Sequence, residues 1–139
     1  MGKYDGPDFD REGTVSIWVV TRPWNDPEFP EDYCVPNYGG DEDEPLCDFT
    51  EDFKFGYFDL DKAESNYTDD GSMGGLESLL EPLSYSASYR EKALEDAQRL
   101  GCDAASGAWL IFDFAYDPQI TGITESRFLR FLGAFKYTK

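Results

Sequence analysis

Residues 107–116 read GAWLIFDFAY, an almost unbroken apolar run with a single charge at Asp113. A strand with one wet face alternates apolar and polar residues. A run that stays apolar at successive positions must be covered on both faces. A chain containing it is therefore committed to a sheet with material packed above and below. Two further runs supply partners. Thr14 to Val20 (TVSIWVV) is β-branched and aromatic and ends before Arg22-Pro23, which reads as a central strand with Val15, Ile17 and Val19 on one face. Arg127 to Tyr137 (RFLRFLGAFKY) reads as another strand, with Gly133 marking a bulge. The loop of roughly nine residues opening at Asp117-Pro118 allows the last two runs to form an antiparallel hairpin.

Helical signals lie between these runs. Leu76, Leu79, Leu80 and Leu83 recur at helical spacing within Gly75–Leu83. Ser88-x-x-Glu91 predicts a capping box, followed by a helix with Tyr89, Ala93, Ala97 and Leu100 on one face, a Glu95–Arg99 pair, and a stop at Gly101. Phe53, Phe55 and Tyr57 alternate with Lys54 and Gly56, the pattern of a short half-buried strand. Three prolines break residues 22–30, Glu31 to Tyr38 has room for one or two helical turns started by Pro30 and stopped early by Pro36, and residues 67–75 read as a flexible loop. Residues 1–12 read as a loose acidic N-terminal tail and 13–139 as one domain. The fold class expected is α+β, a single domain with an antiparallel or mixed sheet and two or three helices packed on one face.

Charge narrows the function. The chain carries 12 Lys and Arg against 29 Asp and Glu, a net charge of −17. Twenty of those acids, against 5 bases, fall in residues 1–70, leaving 9 against 7 in residues 71–139. Such a field repels nucleic acid and anionic lipid and attracts basic partners. No apolar run reaches the length of a membrane span, and no apolar leader follows Met1. Aromatics make up 17% of the residues, which a disordered acidic chain would lack. Most are expected in the core.

The chain has no histidine, which removes the Ser-His-Asp triad, the Cys-His dyad and the His-Glu-x-x-His zinc site. Cys34, Cys47 and Cys102 are an odd set without Cys-x-x-Cys spacing, which reads as three reduced thiols in a cytoplasmic protein. Asp59 and Asp61 would share a face on a strand, as a glycosidase acid pair requires, but no carbohydrate-binding pattern adjoins them. Calcium-loop registers starting at Asp59 or Asp41 both fail at the required Gly position; an irregular calcium site stays open. Gly39-Gly40 and Gly74-Gly75 lack the lysine of a phosphate cradle.

What remains is a protein interface. Asp41, Glu42, Asp43 and Glu44, between Gly39-Gly40 and Pro45, form an exposed loop suited to steering. Asp48, Tyr57, Asp59, Asp61 and Glu64 follow, and a strand ending in the last three acids would present them rigidly. Thr14-Val-Ser-Ile-Trp18, Phe49-Thr-Glu-Asp-Phe53, Tyr57-Phe-Asp-Leu-Asp61 with Glu64, the strand around Trp109, and Phe131-Leu-Gly-Ala-Phe-Lys-Tyr137 occur in an order that resembles immunity protein 22, a family of bacterial immunity proteins from polymorphic toxin systems. The resemblance spans about residues 14–137 and departs at the Pro23–Pro30 insert and at the Asp41–Glu44 loop, where a partner-selecting surface would vary. It implies a small cytoplasmic protein with no catalysis that binds and blocks a cognate toxin domain; no cofactor is expected, and the oligomeric state is open, with a monomer favoured. Such toxins are commonly nucleases with basic faces. The nine residues from Asp41 to Glu64 named above are the partner-binding candidates. The alternative readings are an acidic adaptor for another basic partner, a carboxylate hydrolase or a calcium-binding protein.

Overall fold

The computed structural model describes residues 2–139. In chain order the elements are β1 (Asp10–Val20), α1 (Asp48–Asp52), β2 (Ala63–Tyr67), β3 (Gly74–Gly75), α2 (Leu76–Leu80), α3 (Arg90–Leu100), β4 (Ala104–Ala105), β5 (Gly107–Phe114), α4 (Pro118–Thr121) and β6 (Leu129–Lys136). Four strands make an antiparallel sheet in the order β2-β5-β1-β6, and β3 and β4 form a separate short ladder. The architecture is α+β in one domain.

The hairpin that the loop between β5 and β6 allows does not form. Both strands pair with β1, so that Val20 meets Gly107 on one side and Leu129 on the other. The reason lies in β1 itself. Trp18, Val19 and Val20 are fully buried, and only an interior strand withdraws both faces and both edges from water. Two irregularities then break the alternation of faces. Asp113 adopts φ 57, so Phe114 lies with Trp109 and Ile111 rather than with Leu110 and Phe112. In β6 Leu132 is the extra residue, since Trp18 pairs with Phe131 and Ile17 with Gly133. That bulge, beside Gly133 as expected, places Phe131 on one face and Phe135 on the other.

The two faces are covered by different means. Val15, Ile17 and Val19 pack against α2 and α3 through Leu76, Leu79, Leu80, Ala93 and Ala97. The small alanines bring α3 close to the sheet, and Gly101 ends it in the left-handed conformation at φ 73. Its start differs from the sequence reading. Tyr85, at φ 59, sets up a separate turn over Ser86–Ser88, so Ser88 Oγ donates to the Tyr85 carbonyl at 2.8 Å and no capping box forms. Nor does Glu95 hold Arg99; Asp96 sits between Lys92 and Arg99 at 3.6 and 3.5 Å.

The opposite face carries α1 and long irregular segments. Irregular chain covers a sheet best with large side chains, and aromatics bury the most area per residue. Sixteen of the 23 aromatic residues are buried. Trp18 is the hub, with ring centroids 4.9 Å from Phe49, 5.2 Å from Phe131 and 5.5 Å from Tyr116. Phe53, Phe55 and Phe58 all point into this layer. The segment Phe53–Tyr57 is therefore not a strand: Lys54 takes φ 63, and the Phe55 amide donates back to the Thr50 carbonyl at 3.0 Å. Its alternation comes from wrapping, not from pairing. Residues 31–38 form hydrogen-bonded turns in place of helical ones, with the Tyr33 amide on the Pro30 carbonyl.

Residues 2–12, expected to be part of a loose tail, lie against the domain, while Met1 falls outside the described residues. Phe9 is buried with its ring 5.3 Å from Tyr116 and 5.7 Å from Phe114, and β1 begins at Asp10. One apolar anchor in an acidic stretch is enough to draw it onto the core.

Candidate functional site

Lys3 organises the surface. It is 2% exposed, and its Nζ donates to the carbonyls of Asn37 at 2.8 Å and Gly40 at 3.3 Å, while its backbone amide donates to the Glu42 carbonyl at 3.2 Å. A buried ammonium needs oxygen partners, and here backbone carbonyls of the acidic loop supply them. The loop is closed below by the Asn37 amide on the Leu46 carbonyl at 2.7 Å. On its other side the N-terminal strap lies against Gly56, where any Cβ would collide with the carbonyl oxygens of Asp5 and Lys3. Three segments distant in sequence, 2–5, 37–44 and 55–57, thus meet in one surface.

The nine candidates divide accordingly. Asp41, Glu42, Asp43 and Glu44 are exposed on the loop that Lys3 holds. Tyr57, 46% exposed, pairs with Tyr4 at 6.0 Å between ring centroids. Asp59 and Asp61 are exposed beside it. Asp59 lies ahead of a single turn, Leu60–Lys62, and its Oδ1 accepts from the Asp61 amide at 3.0 Å. Neither acid lies on a strand, since β2 begins after them at Ala63. Asp48 is in the first turn of α1, and its carboxyl is pushed up, first by partial burial and then by the charges of Asp32, Asp52 and Glu51. Glu64 stands apart. It sits in β2 opposite Leu110 and accepts from the Ser84 amide at 3.0 Å, on the helix-covered face of the sheet.

Two tyrosines escaped the sequence reading. Tyr4 is 64% exposed and Tyr38 56%. The Tyr38 phenol is pushed up, first by desolvation and then by Tyr57, Asp59, Asp61 and Tyr4, which surround it. The signal available for Tyr4 was Phe9, the apolar residue that draws the strap inward. Nothing local in sequence distinguishes Tyr38.

None of the nine candidates joins an ion pair among the described residues; Lys62 faces Asp113 and Arg127 faces Glu28. Carboxylates freed of internal partners are available to external ones. Among the described residues no three His, Cys, Asp or Glu side chains converge as metal ligands. Cys34, Cys47 and Cys102 are unbridged, and no helix among the described residues is long and apolar enough to cross a membrane.

The family model for immunity protein 22 matches residues 15–138, nearly the whole chain. The chain belongs to the immunity protein 22 family. No curated protein and no solved structure matches it. The match takes in β1 from Val15 onward and every later element of the fold. The immunity protein 22 match begins after the strap, so Lys3 and Tyr4 lie outside it.

Proposed function

We propose that the protein neutralises a toxin by binding a cognate toxin domain and blocking it through the acidic surface that Lys3 assembles. Membership of the immunity protein 22 family carries this reading. The charge supports it independently, because a molecule at −17 with exposed, internally unpaired carboxylates suits a basic target. The partner of that description is a small basic domain, a nuclease whose phosphate-binding face the carboxylates imitate. Action is by occupation: a monomer working in the cytoplasm, with no reaction of its own and no cofactor. The partner-binding residues are Asp41 to Glu44, Asp48, Tyr57, Asp59 and Asp61.

The test is co-expression. A toxin domain encoded in the adjacent upstream reading frame should arrest growth alone and be tolerated when this protein is present. Growth arrest that persists despite soluble, folded protein would overturn the proposal.

A further inference from the structure

A cleft of about 270 Å³ opens beside the Tyr4–Tyr57 pair, with Asp5, Asp8 and Asp10 around it. We propose that this cleft receives one arginine side chain of the basic partner, its guanidinium lying against the tyrosine rings with the aspartates around it supplying acceptors and negative charge. The proposal rests on the toxin-binding reading above and names a contact within it.

Four observations carry it. First, both rings are exposed, Tyr4 at 64% and Tyr57 at 46%, and with their centroids 6.0 Å apart they set aromatic surface beside the acidic wall of the cleft. Exposed tyrosines of this kind are anchors for protein contacts, and cations bind aromatic faces. Second, among the described residues no cationic side chain lines the cleft. Among the described residues Asp5, Asp8 and Asp10 join no ion pair; Lys3 is spent on carbonyls, and Arg11 and Lys62 line a neighbouring hollow that shares only Asp10 with the cleft.

Third, the walls are fixed in advance. The Gly2 amide donates to Asp5 Oδ2 at 3.2 Å, the Asp10 amide donates to Asp8 Oδ1 at 2.9 Å, and buried Phe9 anchors the strap between them. Less order is then lost on binding. Fourth, the aspartates are spread around the cleft and do not converge as metal ligands. A distributed set of acceptors beside ring faces fits a planar, many-donor cation. Lysine, a compact and strongly hydrated point charge, satisfies it less well.

The probe is N-acetyl-arginine amide, titrated into the full chain and followed by NMR of the tyrosine rings, with N-acetyl-lysine amide as comparator. Saturable shifts at Tyr4 and Tyr57 are expected, with the lysine compound weaker by about fivefold or more. Tyr4→Ala and the near-isosteric Asp5→Asn should each weaken arginine binding by about fivefold at unchanged melting temperature. Equal binding of both compounds, with shifts spread over the acidic loop, would reduce the cleft to a counter-ion atmosphere and overturn the proposal. So would arginine binding that neither variant alters. Growth protection separates this idea from the parent one. Protection by the wild type and equally by Tyr4→Ala overturns the cleft and leaves the proposed function standing. A saturable arginine site in a protein that gives no protection supports the cleft and overturns the proposed function.

Discussion

Asp113 shows how a single residue is tied to the fold. It holds φ 57 inside β5, and its Oδ1 accepts from the Tyr137 phenol at 2.6 Å and the Gly13 amide at 3.0 Å, with Lys62 Nζ 3.5 Å from Oδ2. The Tyr137 hydrogen bond first, then the Gly13 amide and the Lys62 charge, hold its carboxyl below the ordinary aspartate range against partial desolvation. A carboxyl depressed in the fold contributes stability above its unfolded pKa of about 4, lost as pH falls through the lower folded value. Tyr137 is the mirror case. Its phenol is pushed up to about 12 by burial and then by Asp113, so its share is present below an unfolded pKa of about 10 and lost as pH rises through the folded one. Asp113→Ala should cost about 1–2 kcal/mol for the left-handed backbone alone, and more with the lost hydrogen bonds. Asp113→Asn tolerates that backbone and keeps an oxygen, so it should cost less and flatten the acid limb. Urea melts at about pH 7 and about pH 3 would check both. In sequence Asp113 was visible as the lone charge in an apolar run. Its partners Tyr137 and Gly13 were not, being set by the way β1 is flanked.

Elements were legible where one periodicity decided them. β1, β5 and β6 carry long apolar runs, and α3 carries Tyr89, Ala93 and Ala97 at helical spacing, so each was found near its place. Phe53, Phe55 and Tyr57 were misread because alternation also arises when a chain winds over an aromatic layer without pairing. The candidate site suffered from the same error: a strand running to Glu64 was expected, and a capped turn with Glu64 on the far side was found. That turn separates two substitutions that look equivalent in sequence. Asp59 caps it and Asp61 does not. Asp61→Ala should weaken partner binding by about tenfold or more with the melting temperature unchanged, whereas Asp59→Ala should do so and also cost about 1 kcal/mol of stability as a lost cap. Calorimetric melts beside equilibrium binding would show the difference. A loss of stability in both without loss of affinity would make the turn purely structural.

For the whole molecule, charge was fully legible and its arrangement was not. The sequence shows an acidic first half, but only the fold brings the 37–44 loop, the strap and Tyr57 together around Lys3. Carboxylates within a Debye length of about 8 Å act jointly at physiological salt. Replacing Asp41, Glu42, Asp43 and Glu44 by Asn and Gln should therefore slow association and flatten its salt dependence, leaving dissociation little changed. Stopped-flow rates at low and high salt would test this, and an unaltered association rate would leave the loop a solubilising feature. The placement of β1 has a consequence in time. Val20 pairs with Gly107, and Thr14 with Lys136. At about 5–20 residues per second of synthesis, β1 emerges roughly 4–17 s before the strand it first pairs with, and its last partner comes later still. Until then Trp18 and its valine neighbours have no sheet to enter, and the nascent chain cannot offer its folded surface. The strand made first is thus the last to have both its edges paired, and the sheet closes only when β6 has been made.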